Sequence, residues 1–241
     1  TLVPVPRIYL SDDSNVHLDR PYLLMEKLPG TALSQSYGMR GPKKARAFYE
    51  VGKYLRAVHE IHRPQYGYLG AHHPMEPQDT WWAAFQVMWD KMIEDVKKCG
   101  IYDKREEETF KEILREHEQY FIERVDIPSS LLHMDVWSQN ILVDSEGKVT
   151  GIVDWDRALW GDPEIEFSVL DYCGVSTPSF WRGYGSSRIA TPSSKVRDLF
   201  YLLYEHQKYI PIHVWRRKSR DRAMAYKKDC LSMFEELGKL L

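Results

Sequence analysis

The sequence has few cysteines, no excess of basic charge and no long apolar run. Its three cysteines, Cys99, Cys173 and Cys230, are widely spaced, which predicts neither a disulfide framework nor a cysteine metal site and favours a reducing, cytoplasmic compartment. The net charge of −2 argues against nucleic acid as a partner. No run approaches about 18 apolar residues, so we expect no transmembrane helix and no membrane partner. The 43% hydrophobic content of the 241 residues is typical of a globular protein.

The most specific pattern lies in residues 131–163, which contain His133-x-Asp135-x4-Asn140, two short apolar runs and Asp154. Phosphoryl transfer to a hydroxyl requires a carboxylate at the acceptor proton, and an amide plus a second carboxylate on magnesium. Asp135, Asn140 and Asp154 supply this set in the order and spacing of a kinase catalytic loop. We therefore predict a kinase active site, with Asp135 as the base, Asn140 and Asp154 as magnesium ligands, and His133 as a supporting residue.

The local pattern also predicts how the two magnesium ligands meet. Residues 141–143 and 149–153 are β-branched runs separated by Asp-Ser-Glu-Gly, which indicates a β-hairpin. Asn140 stands at the entrance of the first strand, and Asp154 stands at the exit of the second. The turn should therefore bring both residues to the same end of the hairpin.

The run HMDVWSQNILVDSEGKVTGIVDWDRALWGDP, residues 133–163, resembles the aminoglycoside phosphotransferase family and its fructosamine and choline kinase relatives. Protein kinases place Phe-Gly after the metal-binding Asp, whereas here Trp155-Asp156 follows and Gly-Asp-Pro arrives almost at once. Two departures are Met134, where Gly is usual, and Trp137, where His or Tyr is frequent. The resemblance implies a kinase without an activation segment that uses ATP or GTP and Mg²⁺. Its acceptor would be a small-molecule hydroxyl, as in an aminoglycoside, a sugar or a related metabolite.

A second resemblance lies in residues 21–30, an apolar strand that runs into Pro-Gly. In the family this segment is the last strand of the small lobe followed by the hinge, whose backbone holds the adenine edge. Met25 would back the pocket, while the Glu26 carbonyl and the Leu28 amide would face the base. The resemblance thus implies these nucleotide-binding residues: Met25, Glu26, Leu28, Leu142 and Val153.

The implied fold class is α+β and protein-kinase-like, with residues 1–28 as the end of a small lobe and hinge. Residues 29–241 would form a mostly helical large lobe that carries the catalytic hairpin. Helix starts are predicted at Pro42, Pro163, Pro178 and Pro192, and the first of these helices is predicted to end near residues 62–64. Three sets of residues at helical spacing are predicted to pack in the core. The first is Ala47, Phe48, Val51, Leu55 and Val58; the second is Trp81, Phe85, Met88, Trp89, Met92 and Val96; the third is Phe110, Ile113, Leu114, His117 and Phe121. Residues 66–78 are predicted to form a loop, with His72 and His73 as surface residues rather than metal ligands.

The residues before Tyr22 lack the other parts that a kinase needs. The 21 residues preceding it contain neither Gly nor Lys, so they hold no phosphate-covering hairpin and no strand Lys. We therefore expect the chain to begin partway through the small lobe, with roughly 70 to 90 residues of that lobe either preceding it or missing. If the lobe is missing, phosphoryl transfer should be impaired.

The acceptor pocket is the least determined part of the site. On the family pattern, the carboxylates in reach of Asp135 are Asp156, Glu164 and Glu166, and such an acidic pocket would suit a polycationic acceptor. Two other functions stay open: a non-catalytic kinase-like remnant or interaction module, and a metal-dependent phosphohydrolase that would use His133, Asp135 and Asp154. The residues do not distinguish ATP from GTP, one acceptor from another, or one oligomeric state from another.

Overall fold

The computed structural model describes residues 2–69 and 74–239, so His72 and His73 lie outside the described residues. The chain divides into two compact units. The first unit comprises Thr1–Glu60, Asp135–Arg157 and Cys173–Ser187, and the second comprises Ile61–Met134, Ala158–Tyr172 and Arg188–Leu241. The expected boundary between a small lobe at residues 1–28 and a large lobe at residues 29–241 stays a prediction.

Both helices and strands are present, as the predicted α+β class requires. The described residues form the helices α1 (Gly41–His59), α2 (Trp81–Lys98), α3 (Lys104–Glu116), α4 (Gln119–Ile122), α5 (Pro163–Tyr172), α6 (Pro178–Tyr184), α7 (Pro192–Pro211) and α8 (Arg220–Leu237). They form the strands β1 (Ile8–Asp12), β2 (Tyr22–Met25), β3 (Thr31–Ala32), β4 (His62–Arg63), β5 (Gly67–Tyr68), β6 (Ser129–Leu132), β7 (Ile141–Val143), β8 (Val149–Ile152) and β9 (Leu159–Gly161). None of the described helices is both long and apolar enough to cross a membrane.

All four predicted helix starts are confirmed; those at Pro163, Pro178 and Pro192 have side-chain capping bonds, whereas α1 begins at Gly41, beside Pro42, without one. The Thr177 hydroxyl accepts a hydrogen bond from the Phe180 amide at 3.3 Å, and the Thr191 hydroxyl accepts one from the Ser194 amide at 3.0 Å. Each threonine precedes a proline at the first helical position, where the missing N–H of proline costs nothing. At α5, Asp162 accepts from the Glu164 amide at 3.0 Å.

Helix α1 buries the predicted stripe completely, but it ends earlier than expected. The five stripe residues from Ala47 to Val58 are buried. The helix ends at His59 rather than near residues 62–64. The reason is that His62 and Arg63 pair with Ser130 and Ser129 of β6, and a strand cannot continue the helical backbone.

The first unit contains two sheets and a close helix pair. Strands β1 and β2 form an antiparallel pair, and a second sheet has the order β3-β7-β8. Helices α1 and α6 cross through glycines: a Cβ at Gly52 would lie 2.2 Å from the Phe180 oxygen, and one at Gly183 would lie 1.9 Å from the Tyr49 oxygen. Only glycine permits this approach. From α1, Glu50 accepts a hydrogen bond from the Val149 amide at 2.7 Å, which ties the helix to β8.

The second unit has a four-stranded sheet of order β4-β6-β9-β5 and an aromatic core. Residues 66–78 are not wholly a loop, because Gly67–Tyr68 pairs with β9 and Tyr66 bridges Gln78. The predicted stripe of α2 is buried, with Met92 only half-buried. The third predicted stripe is also buried, but it spans two helices, because α3 ends at Glu116, His117 follows that end and Phe121 lies on α4. Two buried tryptophans of this core have hydrogen-bond partners: Trp81 Nε1 donates to the Tyr201 hydroxyl at 2.8 Å, and Trp89 Nε1 donates to the Phe110 carbonyl at 2.7 Å. This unit therefore forms a well-packed helical core.

Candidate functional site

The predicted hairpin exists and carries the proposed magnesium ligands at its open end. Strands β7 and β8 are antiparallel, with Ile141 opposite Ile152. The Asn140 carbonyl accepts a hydrogen bond from the Val153 amide at 3.0 Å, so the ladder continues one step beyond the strands. Asn140 is thus paired with the residue directly before Asp154. The hairpin places the two residues next to each other although they are far apart in sequence.

The Asn140 amide is joined to Asp135. Its Nδ2 donates to the Asp135 carbonyl at 2.8 Å and to Asp135 Oδ2 at 2.9 Å. Both partners are acceptors, so the nitrogen must face them and Oδ1 must point away. That orientation presents the amide oxygen to a cation, as a magnesium ligand requires.

Arg157 is a site residue that the sequence reasoning missed. Its Nη1 donates to Asp135 Oδ1 at 3.1 Å, and both side chains are about one-fifth exposed, at 21% for Arg157 and 23% for Asp135. Asp135 therefore has one oxygen held by Asn140 and the other by Arg157. The available signal was the position of Arg157 three residues after Asp154, but an isolated arginine in a loop carries no pattern of its own.

Two residues of the site have left-handed backbone conformations. Asp154 has a φ of +69°, and Met134 has a φ of +66°. Aspartate tolerates this conformation better than most residues, whereas a large side chain such as Met does so at a cost of about 1–2 kcal/mol. Glycine adopts a positive φ without strain, which fits the expectation from the family resemblance that Gly is usual at the position of Met134. Such strain persists only where neighbouring contacts hold it.

Glu166 supplies those contacts at Met134. The carboxylate of Glu166 is fully buried and accepts hydrogen bonds from the Met134 amide at 2.6 Å and from the His133 amide at 3.1 Å. His133 is itself completely buried. The predicted supporting role of His133 stays a prediction, while Glu166 fixes the backbone just before Asp135.

Glu164, another predicted substrate carboxylate, and the nearby Asp162 each bond to an arginine. Glu164 forms a two-fold hydrogen bond with Arg197, at 2.6 and 3.1 Å, and Asp162 forms one with Arg124, at 2.7 and 2.8 Å. Burial lowers the pKa of Arg124, but its bonds to Asp162 outweigh burial and raise that pKa overall. Glu164 and Glu166 are thus bonded to groups inside the second unit, and their role as substrate contacts stays a prediction. Asp156, by contrast, is exposed.

Three of the predicted nucleotide-binding residues lie on or beside the hairpin. Leu28 and Leu142 are half-buried and approach each other over Gly151, where a Cβ would lie 2.6 Å from Leu28 Cδ1 and 3.1 Å from Leu142 Cδ1. Val153 follows Gly151 by two positions and so shares its side of the strand. Together these side chains form a small apolar surface.

The other two predicted nucleotide-binding residues lie at the end of β2 and directly after it. Met25 ends β2 and is 45% exposed, and the Glu26 amide donates to the Arg7 carbonyl at 2.8 Å.

The donor set suits magnesium better than a transition metal. Asn140 and Asp154 offer oxygen ligands only, and Mg²⁺ is commonly held by one or two carboxylates with water and substrate phosphates completing the shell. Within the described part of the chain, no group of three or more His, Cys, Asp or Glu residues could hold a metal by itself. A cation here would need a phosphate-bearing partner.

The comparison with family models agrees with this chemistry. The model of the phosphotransferase enzyme family, APH, matches residues 1–189. The chain belongs to this family. Among curated proteins, the probable ketoamine kinase of Vibrio parahaemolyticus is 33% identical over 76 residues, which is 31% of this chain and 25% of that protein. The matched part thus spans about a quarter of that relative.

Solved structures of related proteins confirm the kinase-like fold. The "putative fructosamine-3-kinase" of Haemophilus somnus superposes with a TM-score of 0.70 at 18% identity, over 96% of this chain and 73% of the other. The ADP-bound aminoglycoside phosphotransferase APH(2'')-Ib gives a TM-score of 0.60 at 14% identity, over 96% and 75%. The GDP complex of a variant aminoglycoside 2'-phosphotransferase gives 0.59 at 14% identity, over 99% and 76%. At such identities the likeness concerns the fold alone.

Proposed function

We propose that this family member transfers the γ-phosphoryl group of ATP or GTP to a hydroxyl of a small molecule. The observation that carries the proposal is the bond from Asn140 to Asp135 on a hairpin that also carries Asp154. The proposed base and the two proposed magnesium ligands would thereby be held by this hairpin and the loop that leads into it. The ADP and GDP bound to two structural neighbours support a purine nucleotide as the phosphoryl donor.

The residues suggest the following chemistry. Asn140 and Asp154 would hold Mg²⁺, which neutralises charge on the nucleotide phosphates. The acceptor hydroxyl gives its proton to Asp135 as its oxygen bonds to the γ-phosphorus and the bond from that phosphorus to the β-phosphate oxygen breaks. Arg157 and Asn140 hold the Asp135 carboxylate in one orientation, which lowers the entropic cost of reaching the transition state.

Ketoamines and amino sugars are the acceptors to test first. One curated relative is named as a ketoamine kinase, and the structural neighbours include fructosamine and aminoglycoside kinases. Among the three carboxylates expected near the acceptor, Asp156 alone is exposed and outside the buried ion pairs of the second unit. A single carboxylate suits an acceptor with one amino group better than a polycationic antibiotic.

The test begins with nucleotide binding by the protein expressed from its full open reading frame. Calorimetric titration with ATP and with GTP, each with and without Mg²⁺, should show magnesium-dependent binding. Asp154→Asn should abolish that dependence, whereas Asp156→Asn, the neighbouring exposed carboxylate, should keep it. Phosphorylation of a fructosamine and an aminoglycoside can then be followed by ³¹P NMR. Absence of nucleotide binding in the unmodified protein would favour a non-catalytic kinase-like module instead.

A further inference from the structure

The segment from Leu28 to Ala32 is joined to the hairpin that carries Asn140 and Asp154. Thr31 and Ala32 form β3 and pair with Val143 and Leu142 of β7. The Thr150 hydroxyl, on β8, donates to the Pro29 carbonyl at 2.6 Å. The segment that the family resemblance assigns to the nucleotide base is therefore bonded to both strands of the hairpin.

Two glycines make this contact possible, one on each side. Gly30 has a φ of +103°, and a Cβ there would lie 2.4 Å from Thr150 Oγ1 and 2.8 Å from the Val143 oxygen. Gly151 has no unusual φ, so its backbone would accept any residue. A side chain at Gly151 would instead meet the ends of the Leu28 and Leu142 side chains, at 2.6 and 3.1 Å, and these would have to shift. The missing side chain of Gly151 therefore makes room for the two leucine side chains and is not required by the backbone conformation of β8.

We propose that Gly151 is a positioning residue of the nucleotide site. Its missing side chain lets Leu28 and Leu142 lie low and side by side, which forms a flat apolar floor for the nucleobase. A purine ring gains binding energy from such a surface in proportion to the apolar area that it covers. This inference rests on the proposed function, since it names the floor of the same nucleotide site.

The position of Gly151 along β8 gives the floor a second role. Gly151 precedes Asp154 by three residues on the same strand exit, and it is opposite Leu142, which follows Asn140 by two residues. The floor for the base and the proposed ligands for the phosphate-bound cation therefore belong to one hairpin. A rigid hairpin would hold the base and the phosphates of a bound nucleotide at a fixed distance from each other, which favours productive alignment.

A methyl group at position 151 should raise the floor. The backbone of the Leu28 segment is held by the Thr150 bond and by β3 pairing, so the leucine side chains must move instead. They would turn into the space that the base needs. The effect should therefore appear in the binding of the base, and not in the chemistry at Asp135.

The experiment is a double-mutant cycle with Gly151→Ala, Leu28→Ala and the combined variant. Affinity for adenosine and for Mg²⁺–ATP is measured by calorimetry, and guanosine is used if the protein prefers GTP. Gly151→Ala should weaken nucleoside binding by about tenfold or more, as expected for crowding in a packed site. The combined variant should bind no worse than Gly151→Ala, because removal of the Leu28 side chain relieves the crowding. In steady-state kinetics, KM for the nucleotide should rise while kcat is retained.

Controls separate this role from a general loss of folding. Gly38→Ala places a methyl group at a positive-φ glycine of the same unit where no atom lies within 4 Å, so it should leave nucleoside affinity unchanged. If Gly151→Ala does not fold, Leu28→Ala alone decides the matter, and wild-type affinity for nucleosides in that variant overturns the proposal. Losses that simply add in the combined variant also overturn it. No nucleotide binding by the unmodified protein would instead refute the proposed function.

Discussion

The two compact units use carboxylates in opposite ways. In the first unit, Asp154 and Asp156 are exposed and Asp135 is accessible between an amide and an arginine. In the second unit, Asp162 and Glu166 are completely buried, and each is saturated by internal donors. A carboxylate at a surface can take up a proton or a cation, whereas one that is buried and fully hydrogen-bonded stabilises structure. Residue type alone does not distinguish the two.

The contrast extends to packing. The first unit obtains close contact from glycines, at Gly52, Gly151 and Gly183, which let backbones or side chains occupy the space of a missing Cβ. The second unit obtains it from large aromatic rings, such as Phe85 and Phe121, whose centroids stack at 5.3 Å. Glycine contacts give precise spacing with little buried area, and aromatic contacts give much buried area. We infer that the second unit supplies most of the stability and the first most of the site geometry.

The largest effect should come from the buried carboxylate. Glu166→Ala leaves the amides of His133 and Met134 without an acceptor, and two unsatisfied buried donors at about 1–3 kcal/mol each should cost about 2–6 kcal/mol of unfolding free energy. Denaturant unfolding followed by far-UV circular dichroism measures this loss. Glu60→Ala, which removes an exposed glutamate, is the matched control and should stay within about 0.5 kcal/mol of the unmodified protein. Equal stability of the two variants would contradict the contrast between the units.

Asp135→Asn removes the charge of the accessible carboxylate in the first unit. Turnover should fall by a factor on the order of 10² or more, because a positioned base is lost, with little change in nucleotide affinity. The unfolding free energy should change far less than in Glu166→Ala, since the site is partly exposed, an asparagine keeps one acceptor oxygen for Arg157 or Asn140, and Asn140 keeps its bond to the backbone carbonyl of residue 135. Single-turnover kinetics and calorimetry separate the chemical step from binding. Unchanged turnover would remove Asp135 from the catalytic role.

Arg157→Met should have the smallest effect on stability. Its ion pair with Asp135 is partly exposed on both sides, and such pairs contribute about 1 kcal/mol or less. Turnover should nevertheless fall, by less than in Asp135→Asn, because the base loses one of the two groups that orient it. The separate measurement of kcat and KM distinguishes the roles, since loss of a group that only orients the base should lower kcat and leave KM for the nucleotide unchanged. A variant with wild-type kcat would limit Arg157 to a structural contact.

Much of the fold could be predicted because its signals are local. The hairpin from Ile141 to Ile152 follows from two short β-branched runs separated by Asp-Ser-Glu-Gly, and the starts of α6 and α7 follow from Thr-Pro pairs whose hydroxyls cap nearby amides. The end of α1 could not be predicted in the same way. It depends on pairing between β4 and β6, which are separated by more than sixty residues in the chain.

The sequence by itself determined the prediction of Asp135, Asn140 and Asp154 as site residues, because their order and spacing lie on one hairpin and the loop that leads into it. Only the tertiary structure decided which charged groups surround them. From the sequence, Glu166 was predicted as an acidic substrate contact, yet its buried carboxylate accepts hydrogen bonds from the His133 and Met134 amides. Arg157 had no signal, yet it bonds to Asp135. Burial and hydrogen-bond partners depend on contacts between distant segments, and these are properties of the folded chain.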